Sequence, residues 1–388
     1  MHPTQDQAIV PAGNTGDLPS SIWRAIFQFL DPETGKAVSE ASRELMHLWR
    51  EGVLGLQFAL PSTHPMVFLT ETRFSTFPNL QFVEVAEERE FHPIGRLHQD
   101  DQWALSRPAT TAGAFMHLSI CSKESLQAAS RVMESHPALA NMVTRLAIGS
   151  DDFDFKGLKF SDIWTMVSQL PNLMDIDINT DLHLMSITDA DLRQLLTLQS
   201  LRQLGLCGAK GFNGEGLDGL SGSSLQSLLL GNCPTLRGEN LQKLALSPSL
   251  DALTLVGRLD GVSDDHLVVL GSHPSLKHIG LHSGYLSAGA LSVIAQQTSQ
   301  LESLTLFDGF SIDLEGLQAL QQMPNLQYLT IDRRLRVNAE EVLAWLAKMP
   351  ALTELSYWDD TPDAPMDLGT PLNAKNQPIK LSFLKNIR

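Results

Sequence analysis

The feature that leaves this chain least freedom is an apolar spacing that returns in fixed phase along most of its length. Leu301-Glu302-Ser303-Leu304-Thr305-Leu306 shows it plainly, with apolar side chains at the first, fourth and sixth places. The same frame finds Leu225/Leu228/Leu230, Leu250/Leu253/Leu255, Leu276/Ile279/Leu281, Leu326/Leu329/Ile331 and Leu352/Leu355/Tyr357. Upstream it continues as Leu201/Leu204/Leu206, Leu173/Ile176/Ile178, Val143/Leu146/Ile148, Phe115/Leu118/Ile120, Leu80/Val83/Val85 and Val53/Leu56/Phe58, and Leu381 with Phe383 extends it at the other end. From Leu225 onward the starts advance by 25, 26, 25, 25 and 26 residues. A unit this short cannot bury its own apolar face, so only stacking against its neighbours closes a core.

The part of each unit after the strand reads as a helix, for example Asp191-Leu192-Arg193-Gln194-Leu195-Leu196 and Glu340-Glu341-Val342-Leu343-Ala344-Trp345-Leu346. Asn338 with Glu341 forms a capping box, and Thr188-Asp189 and Ser263-Asp264-Asp265 supply further caps. Pro78, Pro171, Pro248, Pro274, Pro324 and Pro350 each stand two residues before a first apolar place, where proline stops a helix and favours extended backbone. The period is that of the leucine-rich repeats, which residues 52–388 resemble over about twelve units. The predicted fold class is therefore α/β: a horseshoe solenoid with a parallel inner sheet and outer helices.

The rest of the composition narrows the function classes. A formal net charge of -16 disfavours nonspecific attraction to nucleic acid or to an anionic membrane face. No apolar run approaches the roughly 20 residues of a membrane span. Residues 1–16 are polar and lack the basic start and apolar centre of a secretory signal, which suggests a disordered lead-in. Cys121, Cys207 and Cys233 are too few and too scattered for a disulfide framework, and they fit a reducing cytoplasm.

Residues 17–51 do not follow the repeat. Leu18-Pro19 opens the segment, Ser20 or Ser21 can cap a helix, and Ile22, Trp23, Ile26, Phe27, Phe29 and Leu30 crowd one short stretch. Asp31-Pro32 breaks that helix, and Val38, Ala41, Leu45, Leu48 and Trp49 follow at helical spacing. Helices so short and so aromatic leave an apolar face for a partner. Leu18-Pro19, Ile22, Ile26-Phe27, Phe29-Leu30-Asp31, Val38-Ser39 and Ser42-Arg43 with Leu45 and Trp49 together resemble the F-box, a small all-α module. That resemblance implies docking on the Skp-type adaptor of a cullin-RING ubiquitin ligase through Leu18, Pro19, Ile22, Ile26, Phe27 and Leu30. Between the repeat starts Leu80 and Phe115, 35 residues apart, an acidic, proline-bearing loop is expected near 86–112.

Ser287-Ala288-Gly289-Ala290-Leu291-Ser292-Val293-Ile294-Ala295, with Ala41-Ser42-Arg43-Glu44-Leu45, resembles the GALA-like type III effectors that plant-pathogenic bacteria deliver into host cells. Those proteins also join an F-box to leucine-rich repeats. Residues 251–276 are equally similar to the repeats of eukaryotic F-box receptors. The first resemblance implies a virulence protein of the host cytoplasm or nucleus; the second, a cytoplasmic receptor.

No constellation points to an enzyme. His273, His278 and His282 fall across a strand and its turn, unlike paired ligands on one helix face, and read as surface histidines without a metal. Asp151, Asp152 and Asp154 lack the ligand order of a calcium loop. Asp175 and Asp177 alternate on a strand and face solvent. Gly208, Gly211, Gly214, Gly216, Gly219 and Gly222 read as turn glycines of a shortened repeat. No cofactor is expected.

If the first, fourth and sixth places bear on the core, the third, fifth and seventh point to the concave face. The C-terminal rows are then Ala252/Thr254/Val256, His278/Gly280/His282, Ser303/Thr305/Phe307, Tyr328/Thr330/Asp332 and Glu354/Ser356/Trp358. Earlier rows, such as Gln203/Gly205/Cys207, Asp175/Asp177/Asn179 and Arg145/Ala147/Gly149, are smaller or more polar. Interface energy concentrates in aromatic anchors ringed by polar groups, so a target protein is expected on His278, His282, Phe307, Tyr328, Asp332, Glu354 and Trp358. Trp358 has a second reading, as part of a terminal cap. The expected function is a non-catalytic substrate receptor of an SCF-type ligase. The alternative is a non-ligase scaffold whose first helices only cap the solenoid.

Overall fold

The structure is a computed structural model that describes residues 55–60, 82–87, 115–120, 123–135, 137–149, 158–179, 186–282, 288–297, 299–307, 318–331, 339–358 and 370–384. The whole segment 17–51 lies outside these residues, including Leu18, Pro19, Ile22, Ile26, Phe27 and Leu30. So do Asp151, Asp152, Asp154, Cys121, Asp332, Asn338 and the greater part of the expected loop. The chain divides into two compact units, Met1–His117 and Leu118–Arg388.

In the first unit, β1 (Gly55–Leu60) and β2 (Phe82–Glu87) run parallel. Leu56 is registered with Val83 and Phe58 with Val85, so the fourth and sixth places of the two repeats coincide. β2 continues through Ala86 and Glu87, opposite Ala59 and Leu60. The strand thus takes in the first two positions expected of the loop, because the ladder to β1 still satisfies their backbone.

From β3 (Phe115–Ile120) the strands follow one another across the sheet in chain order. They are β4 (Val143–Ile148), β5 (Asp175–Asn179), β6 (Gln203–Cys207), β7 (Ser227–Gly231) and β8 (Ala252–Val256). Then come β9 (His278–His282), β10 (Ser303–Phe307), β11 (Tyr328–Ile331), β12 (Glu354–Trp358) and β13 (Lys380–Leu384). Neighbours are parallel from β4 to β13, and helices are described in most of the crossovers between them. This is an α/β leucine-rich repeat solenoid.

The apolar frame is the core. Leu225, Leu228, Leu230, Leu250, Leu253, Leu255, Leu301, Leu304 and Leu306 are all buried, as are Val143, Leu146, Ile148, Leu173, Ile176 and Ile178. At about 25 cal/mol per Å² of apolar surface, three such side chains per unit hold each strand to its helix layer. β3 adds Met116, also buried, at a place the frame leaves open.

Backbone bonds lock the phase between repeats. Each second-place carbonyl accepts two N–H groups of the next strand: Asp251 from Lys277 (2.8 Å) and His278 (2.9 Å), Glu302 from Gln327 (2.8 Å) and Tyr328 (3.0 Å). A slip by one residue would break these pairs and turn every buried side chain outward. Just before the first apolar place, a polar side chain reaches the preceding repeat: Asn172 Nδ2 to Asn141 O (2.8 Å), Ser275 Oγ to Leu250 O (2.8 Å) and Asn325 Nδ2 to Ser299 O (2.8 Å).

The covering layer holds α1 (Lys123–Ser135), α2 (Pro137–Met142), α3 (Phe160–Val167), α4 (Asp189–Leu195), α5 (Asp264–Gly271), α6 (Ala288–Gln297) and α7 (Ala339–Leu346). Two units depart from the expected α-helix: Glu215–Gly222 and Gly238–Leu246 are 3-10 helices. Glycines and a short repeat explain the first, since 3-10 geometry rises further per residue and needs less helix propensity. A Cβ at Gly216 would stand 2.5 Å from the Asp189 carbonyl, so the strandless side of that repeat packs backbone to backbone.

Caps also depart in detail. Thr188 closes a capping box with Asp191, but the Asp189 carboxylate reaches forward and accepts from Asn213 N (3.0 Å) and Gly216 N (2.6 Å) of the next repeat. Ser263 is answered by the His266 ring and not by a carboxylate, its N–H lying 3.1 Å from Nδ1.

Candidate protein-binding face

The third, fifth and seventh places form three straight ladders on the face of the sheet opposite the buried frame. Register carries the third place through Arg145, Asp175, Gln203, Ser227, Ala252, His278, Ser303, Tyr328, Glu354 and Lys380. The fifth place beside it carries Asp177, Gly205, Leu229, Thr254, Gly280, Thr305, Thr330 and Ser356. This middle ladder is low where glycine and small hydroxyl residues occupy it, so the third-place side chains stand above it.

Tyr328 is the most prominent of them. It is 47% exposed, in the middle of a regular parallel ladder, with Ser303 and Glu354 as strand neighbours. His278 is exposed two strands away. Glu354 is half-buried and its carboxylate pairs with Lys380 Nζ at 3.2 Å. His282 lies opposite Phe307 at the strand ends, and Trp358 opposite Leu384, placed here by backbone register. Of the expected target-binding set, His278, Tyr328 and Glu354 stand on the open face over β9 to β12, His282, Phe307 and Trp358 are placed by backbone register alone, and Asp332 lies outside the described residues.

Toward β4 the face changes to charge. Arg145 Nε meets Asp175 at 3.2 Å. Asp177 stays open to solvent, yet neighbouring strands strip enough water to push its carboxyl above the usual carboxylate range, with Arg145 opposing. Asp251 is also pushed up by burial, with His278 as the largest opposing influence. Asp175 and Asp177 thus have different surroundings, one salt-bridged and one open.

Among the described residues, no group of three His, Cys, Asp or Glu side chains could hold a metal ion. Nor is any described helix long and apolar enough to cross a membrane. His273 corrects the reading of three surface histidines: it is buried, with 1% of its surface exposed. It sits three residues before a first apolar place, where other repeats bury Ala140, Leu170, Met323 and Met349. That place is a further core position, legible in the repeat once the turn is aligned. Cys233 is buried with its Sγ 3.2 Å from the Gly231 carbonyl, and Cys207 is half-buried on the seventh-place ladder.

No protein-family model matches the sequence, and no curated protein matches it. Solved structures do. A chain from the crystal structure of the Rad7 and Elc1 complex in yeast is similar at 16% identity and a TM-score of 0.51, over 93% of this chain and 92% of that one. A chain from the crystal structure of the TLR13–ssRNA13 complex gives 12% identity and a TM-score of 0.43, over 87% of this chain and 54% of that one. The first likeness extends over nearly the whole of both chains and is a likeness of fold.

Proposed function

We propose that this chain is a non-catalytic substrate receptor of an SCF-type cullin-RING ubiquitin ligase. The F-box-like segment 17–51 recruits a Skp-type adaptor, and the open face over β9 to β12 holds a target protein for ubiquitination. The carrying observation is the exposed Tyr328 on a regular parallel ladder, with Glu354 on the next strand and His278 two strands away. A tyrosine has few rotatable bonds and its backbone is fixed by the ladder, so it offers a large apolar contact at a small entropy cost. The full-length likeness to a chain crystallised in the Rad7 and Elc1 complex supports a role inside an assembly. Following the GALA-like resemblance, the setting is a plant host cell entered from a bacterium.

Adaptor capture by the purified full chain tests the reading. Wild type should retain a Skp-type adaptor, and a Leu18→Ala, Pro19→Ala double variant should lose at least about tenfold in affinity, since two buried apolar contacts contribute roughly 2 kcal/mol or more. The variant's thermal melting should stay unchanged. No capture by either protein sinks the ligase reading and favours a scaffold whose first helices cap the solenoid.

A further inference from the structure

We propose that the repeat array carries an acid-labile joint at His273, where a neutral imidazole ties its own turn to the preceding repeat. The argument rests on the row of side chains three places before each first apolar residue. Ala140, Leu170, Met323 and Met349 fill this row with apolar groups, but in two adjacent repeats it holds Ser247 and His273, exposed by 0% and 1%. The core is thus interrupted by a polar pair at one point along the array.

The ring's bonds fix its protonation. Ser275 N–H donates to Nδ1 at 3.3 Å within the turn, so Nδ1 must be unprotonated. Nε2–H then donates to the Leu244 carbonyl of the preceding repeat at 3.0 Å. The His273 carbonyl accepts from Gln300 Nε2 of the following repeat. One residue therefore bridges the 3-10 helix Gly238–Leu246, its own turn, and the approach to β10. The Ser247 hydroxyl of the preceding repeat is buried without a protein hydrogen-bond partner, so this polar pair is only partly satisfied.

Among the described residues, only backbone groups bond the ring, and no carboxylate does. From the 3-10 helix, Lys243 directs its ammonium at the Glu215 carbonyl, 3.2 Å away. Asp264, Asp265 and His266 belong to the first turn of α5, at the far end of the helix from His273. Beyond the turn, Lys277 pairs with Glu302 at 2.8 Å. Burial holds the ring below the ordinary histidine range, and the Leu244 and Ser247 backbone offsets this only in part.

The sign follows. A histidine whose folded pKa is depressed binds fewer protons folded than unfolded, so its contribution is intact above about 6.5 and is lost as pH falls from there toward the folded value. Protonation sets Nδ1–H against Ser275 N–H and costs that bond. In an array where each unit holds only its neighbours, the loss acts locally. Acid opens the contact between the His273 turn and the 3-10 helix Gly238–Leu246 and leaves β4 to β6 closed. This stands independently of what the open face binds.

Hydrogen exchange of the full chain, corrected for the intrinsic pH effect, tests the joint at pH 7.5 and at steps down to 5. In wild type, the opening that exposes residues 238–247 and 267–282 should become up to about tenfold more frequent per pH unit below about 6.5, one proton being taken up per opening. Residues 158–179 should show no such rise. In His273→Gln the acid response of the joint should vanish. An undiminished response in that variant, or a rise spread evenly over the array, overturns the proposal. Should the variant not fold, deuteration at imidazole C2 of wild type decides: His273 must titrate below the ordinary histidine value of 6.5, and titration at or above that value also overturns the proposal.

Discussion

At the scale of single residues, the repeat assigns the same amino acid opposite meanings. Gly216 and Gly222 belong to one 3-10 helix, yet a Cβ at Gly216 meets the Asp189 backbone at 2.5 Å while one at Gly222 meets nothing within 4 Å. Gly216→Ala should therefore cost about 1–3 kcal/mol, because rigid backbone must move aside. Gly222→Ala should be neutral or stabilise by up to about 1 kcal/mol, through the entropy it removes from the unfolded chain. Urea unfolding of the two variants gives both values; equal losses would show that the repeats do not approach this closely. The spacing marked both as turn glycines and could not separate them, since the difference lies in Asp189 of the preceding repeat. His273 was misread for a related reason. Its polarity suggested the surface, whereas its place, aligned with Leu170 and Met323, puts it in the core.

At the scale of elements, the strands were legible almost residue by residue and the covering layer was not. The strand frame survives because each buried place is filled in every repeat, so periodicity repeats the same message many times. A helix layer has no such redundancy: it need only span its neighbours, by α or 3-10 geometry as residue count and glycines dictate. The cap at Thr188 illustrates the limit. Thr188 and Asp191 satisfy each other within α4, as their spacing suggests, but Asp189 serves the next repeat. Thr188→Ala should cost about 1 kcal/mol, the usual loss at an N-cap. Asp189→Ala should cost more, about 2 kcal/mol, because two N–H groups of the following unit lose their acceptor. Asp189→Asn, which keeps one carbonyl acceptor, should fall between. Denaturant midpoints order the three variants, and an Asp189→Ala loss no greater than that of Thr188→Ala would deny the bond between repeats its role. On the binding face, alternation along the strand told which places look outward, and register adds which of them are neighbours.

At the scale of the second unit, residues 370–379 carry the chain into β13 through a polar turn that bonds back onto the preceding repeat. Asn373, 2% exposed, donates from Nδ2 to the Leu352 carbonyl at 3.1 Å and accepts at Oδ1 from Lys375 N (2.9 Å) and Gln377 N (3.0 Å). Ala374 N bonds the Met349 carbonyl at 3.0 Å, and Asn376 takes a left-handed backbone at φ 57°. The turn then delivers Lys380–Leu384 in register with β12. Asn373→Ala would orphan several of these groups at once and should cost about 2–3 kcal/mol. In a stack coupled only through nearest neighbours, that loss should not spread evenly. Hydrogen exchange should accelerate over β12 and β13 while β5 and β6 keep their protection, and the exposed edge of β12 should promote self-association. Equal acceleration at β5 and β12 would instead mean that the second unit opens as one cooperative body, in which no single contact between repeats can open alone.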